Sequence, residues 1–132
     1  MMRYLLDTNV VIGLLNDATS KLAQRARREK PADVAISAIV AHELFYGAFK
    51  SHRATQNVAL IDSLQFAVLE LDKEDARQAG EVRALLASRG TPIGPYDVLI
   101  AGQAKARNLT LVTHNTEEFG CVPGLHFDDW QA

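Results

Sequence analysis

Four short runs rich in branched and aromatic residues recur along this chain: "RYLL" (3–6), "VAIS" (34–37), "FAVLEL" (66–71) and "LTLVT" (109–113). The stretches between them have helical spacing and are too long for hairpins. Strands that alternate with helices build βαβ units, and βαβ units build a parallel sheet with helices on both faces. The sequence therefore predicts an α/β fold around a central, mainly parallel sheet of four to five strands. Ligands of such sheets sit at the carboxyl ends of the strands. Asp7, directly after "RYLL", stands at one such end.

The helical segments have their own punctuation. "VVIGLL" follows Asp7-Thr8-Asn9 and begins a helix that Thr8 or Asn9 can cap. "SKLAQRARREK" (20–30) reads as a polar, basic helix stopped by Pro31. "AIVAHELFYGAFK" (38–50) has helical spacing, and another helix is expected near "ATQNVALIDSL" (54–64). "DKEDARQAGEVRALLASRG" (72–90) has acids in its first turn and Gly90 beyond its end, and a further helix restarts at Pro95. No repeat, low-complexity run or linker divides residues 1–132, so one domain is expected.

Composition excludes several classes. With 48% hydrophobic and 23% charged residues the chain is globular, and a net charge of −2 is wrong for a protein that coats nucleic acid by bulk electrostatics. The single cysteine, Cys121, rules out an intrachain disulfide and reads as a structural residue. No membrane span and no signal-peptide core stand out, so a cytoplasmic location is expected. "HELFY" lacks the second histidine of the zinc-protease helix, and neither a Walker loop nor a Gly-x-Ser-x-Gly elbow occurs. The four histidines, His42, His52, His114 and His126, have no paired spacing and read mostly as surface residues; His42 and His114 flank acids and are candidates to touch a substrate.

Those acids are the informative feature. Ile36, Ile39, Val40, Glu43 and Gly47 fall at offsets of three and four, which places Glu43 on a face expected to be buried. Asp97, Ile100, Ala101 and Ala104 repeat the pattern, with an acid in the first turn of the helix at Pro95. Ala101, Gly102 and Ala104 are small enough for close helix approach. After the fourth strand, "THNTEEF" supplies Thr113, Asn115 and Glu118. An unpaired carboxylate in a core is costly, so a set of this kind calls for a partner or a cation. Oxygen donors without sulfur suit Mg²⁺ or Mn²⁺. Each acid also has a plain reading: Asp7 as an N-cap, Glu43 paired with a nearby Lys or Arg, Asp97 complementing a helix dipole, Asn115 and Glu118 as loop residues.

With these acids placed, the chain resembles the PIN-domain ribonucleases, specifically the VapC-type toxins of bacterial toxin–antitoxin pairs. The pieces that carry the resemblance are "LLDTNVVI", "ISAIVAHELFYGA", "GTPIGPYDVLIAGQA" and "LTLVTHNTEEFGCVPGLHFDDW", in the family's order from residue 3 to Trp130. It implies a three-layer α/β/α domain with Asp7, Glu43 and Asp97 as metal-binding, catalytic acids. The fourth acidic position falls on Asn115 or Glu118, with Thr113 beside them. It further implies a Mg²⁺-dependent endoribonuclease, a homodimer, silenced by a small antitoxin whose tail covers the acidic groove, with an Arg that reaches the acids.

Metal-activated water attacking in line leaves a 5′-phosphate and a 3′-hydroxyl. The residues alone equally allow a DNA substrate, a non-catalytic PIN-fold module that binds nucleic acid or protein, or a phosphoacceptor receiver domain, although Asp7 stands alone where a receiver wants paired acids. Arg25, Arg27, Arg28 and Lys30 form a basic cluster that suits either an RNA backbone or a solvated helix face.

Overall fold

A computed structural model describes residues 2–132. In chain order the elements are β1 (Tyr4–Leu6), α1 (Thr8–Asn16), α2 (Lys21–Ala26), a 3-10 helix (Pro31–Asp33), β2 (Val34–Ser37), α3 (Ala38–Lys50) and α4 (Ala54–Asp62). They continue as β3 (Ala67–Leu69), α5 (Lys73–Ser88), α6 (Pro95–Ala106), β4 (Thr110–Val112), α7 (Thr116–Phe119) and β5 (Phe127–Asp128). The strands form one sheet in the order β3-β2-β1-β4-β5, and every pairing is parallel. Helices cover it in an α/β/α arrangement. Among the described residues no helix is long and apolar enough to cross a membrane.

This order fixes where a ligand belongs. From β1 the chain moves outward through β2 to β3, then returns to the other side of β1 for β4 and β5. The reversal lies between β1 and β4, and sheets of this kind place their ligands at such a reversal, outside the carboxyl ends of the strands. Leu6 is in register with Val112 on one side and Ile36 on the other, so the residues after them, Asp7, Thr113 and Ser37, lie along one rim. Beneath the rim the sheet is dry: Leu5, Leu6, Ala35, Leu111 and Val112 are fully or almost fully buried.

Several expectations are corrected in detail. The helix after Asp7 starts at Thr8, and its cap is Asp7 itself rather than Thr8 or Asn9. The basic helix ends at Ala26, because Arg28 and Glu29 donate their N–H groups to Arg25 and Ala26 three residues back. Such tightening ends an α-helix before Pro31, which instead opens the 3-10 helix. Ile36 belongs to β2, and the buried face of α3 is Val40, Leu44 and Ala48; Glu43 is half-buried and Gly47 exposed. The third strand is three residues long, and as an edge strand it leaves Val68 exposed. The fifth strand is only two residues long, too short to show a pattern.

α6 is packed hard against α5. A Cβ at Gly102 would lie 2.4 Å from the Ala79 Cα, so only glycine lets the two helices approach this closely. Beside that contact, Asp75 is wholly buried and accepts from Arg107 Nη2 at 2.9 Å and from Gln103 Nε2 at 3.0 Å. Arg107 Nη2 and Gln103 Nε2 also donate to the Glu70 carbonyl, at 2.8 and 3.0 Å. Asp72 caps α5 in a reciprocal capping box with Asp75. The second half of α6, the helix that carries Asp97 in its first turn, is therefore anchored to α5 and to the Glu70 carbonyl.

The basic cluster lies at the other end of the sheet. Glu29 pairs with Arg25 at 2.6 Å and with Arg3, at the amino end of β1, at 3.7 Å. The Arg25 guanidinium also covers the Trp130 ring at 4.7 Å, and Trp130 meets Tyr4 edge-to-face at 5.1 Å. Arg27 donates to the Ala18 carbonyl. Arg25 thus ties α2 to the amino-terminal end of the sheet, opposite the end that carries Asp7, while Arg27 ties α2 to the turn that follows α1. Cys121 is exposed rather than part of the core, with its thiol 3.6 Å from the Glu117 carbonyl.

Candidate active site

Asp7 is held from two directions. Its Oδ1 accepts the Val10 N–H at 3.0 Å, which caps α1, and its Oδ2 accepts the Thr113 hydroxyl at 2.5 Å. Its own N–H donates to the Val112 carbonyl, continuing the β1–β4 ladder into the rim. Asp7 is a cap and a rim acid at once, because its two oxygens do the two jobs. Burial pushes its carboxyl above the ordinary value; the Thr113 and Val10 hydrogen bonds oppose this, and the Glu43 charge adds to it.

Glu43 reaches the same rim from α3, and its Oε1 accepts the Thr8 hydroxyl at 2.7 Å. Thr8 thereby ties the first acidic segment to the second. Asp97 lies in the first turn of α6, where Pro95 and the Gly94 cap set the entry. A Cβ on Gly94 would approach Asp97 Oδ2 to 3.1 Å, so the glycine leaves room for the carboxylate to fold back over the cap. The Asp97 carboxyl is pushed up to about 6 by burial first, then by the charges of Glu118, Glu43 and Asp7. All four acids are close enough for three of them to act on the fourth.

The last corner is built by "THNTEEF". Thr113 is wholly buried; besides donating to Asp7 it accepts the Asn115 N–H at 3.0 Å. Asn115 is the exposed cap of α7: its Oδ1 accepts the Glu118 N–H, and its Nδ2 donates to the Glu118 carboxylate. Thr113 therefore supports Asp7, Asn115 supports Glu118, and it is Glu118 whose charge bears on Asp97.

The sequence reading located the acids but missed two features. Thr8 follows Asp7 directly, and a hydroxyl in "LDTN" was the available signal. The second feature is an aromatic pair: His42, before Glu43, meets Tyr96, before Asp97, edge-to-face at 5.7 Å. His114 pairs with Asp129 at 2.9 Å, and all four histidines are exposed, as expected.

Among the described residues none of Asp7, Glu43, Asp97 and Glu118 forms an ion pair with Lys or Arg. Nor does any group of three or more His, Cys, Asp or Glu there stand ready-made in metal-holding geometry. The donors nonetheless fit a hard divalent cation: all are oxygens, they come from four separate elements, and their mutual repulsion is what a cation would relieve.

Known proteins resemble the chain along nearly its whole length. Residues 4–124 match the PIN domain family. The chain is 38% identical over 132 residues to the tRNA(fMet)-specific endonuclease VapC of Salmonella typhimurium, covering 98% of this chain and 99% of that protein. It is 32% identical to Ribonuclease VapC2 of Haemophilus influenzae, with the same coverage. Its fold superposes with a TM-score of 0.93 on DNA-bound VapBC from Salmonella typhimurium, at 38% identity and 98% and 99% coverage of the two chains. VapBC2 from Rickettsia felis, bound to a fragment of promoter DNA, gives 0.89 at 33% identity, again with 98% and 99% coverage. The chain thus belongs to the PIN-domain family and, within it, to the VapC-type ribonucleases.

Proposed function

We propose that this chain, acting as one PIN unit over residues 1–132, is a Mg²⁺-dependent endoribonuclease toxin. The single observation that carries the reading is that Asp7, Glu43, Asp97 and Glu118 come together at one rim with, among the described residues, no Lys or Arg paired to any of them, and the Asp97 carboxyl is lifted accordingly. Such a cluster repels a phosphodiester unless a cation is shared between them. Asp7 and Asp97 are the ligands best placed to hold that cation, with Glu43 and Glu118 on either side. When bound, it neutralises the acids, polarises the phosphate and makes a water acidic enough to attack at neutral pH.

The chain's own residues supply the order. Thr113 keeps Asp7 in one orientation, and the α1 N–H keeps its other oxygen occupied. Thr8 points the Glu43 carboxylate at the rim, where it can accept a proton from the attacking water. Asn115 steadies Glu118. In-line attack on phosphorus breaks the P–O3′ bond and leaves a 5′-phosphate and a 3′-hydroxyl.

Relatives named as ribonucleases, one of them tRNA(fMet)-specific, support RNA as the substrate and tRNA as the first class to test. Solved VapBC complexes of similar fold support a small antitoxin partner. That antitoxin would cover the acidic crevice, and an arginine from it would take the place of the cation. A cytoplasmic homodimer completes the reading. The test is cleavage of total tRNA by the purified chain with Mg²⁺ or with EDTA. Cleavage only with Mg²⁺, abolished by antitoxin, is expected; metal-independent cleavage, or none, overturns the reading.

A further inference from the structure

His42 and Tyr96 have no part in the scheme above, yet their placement is specific. Each immediately precedes a rim acid, Glu43 or Asp97, and each is exposed, Tyr96 by 45%. Their rings meet edge-to-face at 5.7 Å with planes inclined by 78°, bridging α3 and α6 beside the acids those helices carry. Both residues are exposed, so the contact leaves ring surface facing solvent beside the rim acids.

Arg83 lines a pocket with Pro92, Ile93 and Pro95 near the start of α6, but among the described residues no Lys or Arg pairs with an acid of the rim. Its four carboxylates repel RNA, and the run from Arg25 to Lys30 is at the amino end of the sheet, where Arg25 is bound to Glu29 and Trp130. A strand held beside the acids needs contacts that do not depend on charge. Every nucleobase presents a π-face, and exposed aromatic rings beside a backbone-binding groove hold unstacked bases in that way.

We infer that Tyr96, braced by His42, is a stacking platform for the nucleobase next to the scissile phosphate, and so a positioning residue for single-stranded RNA. The inference rests on the ribonuclease reading. Tyr96 fixes the base, the base fixes its sugar and phosphate, and the phosphate is presented to Asp7 and Asp97. No base-specific hydrogen bond is required, so the platform sets the register of the strand rather than its sequence.

The test is steady-state cleavage of a short single-stranded RNA containing the mapped cut site, with wild type, Tyr96→Ala, Tyr96→Phe and His42→Ala. A companion series of the same RNA carries an abasic position on either side of the cleaved bond. Tyr96→Ala is expected to raise KM by about tenfold to a hundredfold, the range for loss of one base–aromatic stack, with a smaller change in kcat. Tyr96→Phe, which keeps the ring, is expected to stay within about twofold of wild type, and His42→Ala to fall between. At one flanking position, removing the base should cost wild type what Tyr96→Ala costs, and Tyr96→Ala nothing further.

If Tyr96→Ala cleaves intact RNA as wild type does, or if its loss multiplies with that of every abasic position, the platform is wrong while the ribonuclease reading stands. If wild type cleaves no RNA with Mg²⁺, the ribonuclease reading falls and the platform falls with it. Thermal midpoints of the variants, unchanged because both rings are exposed, exclude misfolding as the cause.

Discussion

Asp7 caps α1 and stands at the rim with the same side chain. Its two oxygens have different partners: Oδ1 takes the helix N–H and Oδ2 takes Thr113. Removing the second contact alone, by Thr113→Val, leaves a shape of similar volume but frees Asp7 to rotate and raises its carboxyl further. Supporting contacts of this kind are worth about 10- to 100-fold in metal affinity or activity, so the Mg²⁺ concentration at half-maximal cleavage should rise by about tenfold or more. Thr8→Val should act on Glu43 in the same direction, measured in the same titration.

Asp97 makes the complementary point. Its folded carboxyl titrates near 6 against an ordinary 3.8, so the folded state holds that proton more tightly than the unfolded state does. Stability from this group is therefore greatest at low pH and declines as pH rises from 3.8 towards 6. In EDTA, Asp97→Asn should remove that decline and melt no lower than wild type at pH 7, while Mg²⁺ should raise the melting point of wild type and not of the variant. Melting curves at pH 4 to 8 check both statements.

At the scale of elements, α5 and α6 determine where Asp97 stands. The Gly102 contact with Ala79 has no room for a methyl group, so Gly102→Ala must separate the helices. Overpacking of this kind destabilises by about 1–3 kcal/mol, readable in urea denaturation. The Asp75–Arg107 pair makes an acid-labile contribution. Burial pushes the Asp75 carboxyl up, but the Arg107, Asp72 and Gln103 hydrogen bonds and the Arg107 charge outweigh it and hold it below 3.8. Its stabilisation is full above that value and is lost as pH falls below it. Asp75→Ala, leaving Arg107 without its buried partner, should destabilise by about 3 kcal/mol at pH 7 and flatten the acid limb of the stability curve.

Elements also mark what was legible in the sequence. α3 and β2 were readable to the residue because a branched run gives way to a helical pattern at Ser37, which caps the helix. The Pro95 start and Gly90 stop were equally plain. β5 was not, since two residues carry no period, and α2 was overextended because its basic run continues past the point where i→i+3 bonds close it. Of the site, Asp7 was legible as a charge at a strand end and Asp97 as an acid opening a helix, whereas the apolar face expected to carry Glu43 is instead Val40, Leu44 and Ala48. Thr8 was legible as a helix cap and Asn115 and Thr113 as candidates for the fourth corner; which oxygen each one serves depends on the β1–β4 register and on the approach of α3, neither of which is local in sequence.

For the whole molecule, the sheet separates two kinds of charge. The carboxyl ends of β1 and β4 carry the acids, and the amino end carries Arg3, Arg25 and Glu29 around Tyr4 and Trp130. The double variant Arg28→Ala, Lys30→Ala should consequently leave RNA cleavage within about twofold of wild type, because surface charges remote from the scissile bond contribute little at physiological ionic strength. The proposed function requires four converging carboxylates to hold a cation that cuts RNA. Its most direct test is cleavage of a tRNA substrate by purified wild type and Asp97→Asn across a Mg²⁺ titration, with folding of both checked by circular dichroism. Loss of a ligand worth several kcal/mol should lower the Asp97→Asn rate by at least about a hundredfold in a protein that remains folded. Equal cleavage by the two proteins, or cleavage by wild type in EDTA, would contradict it.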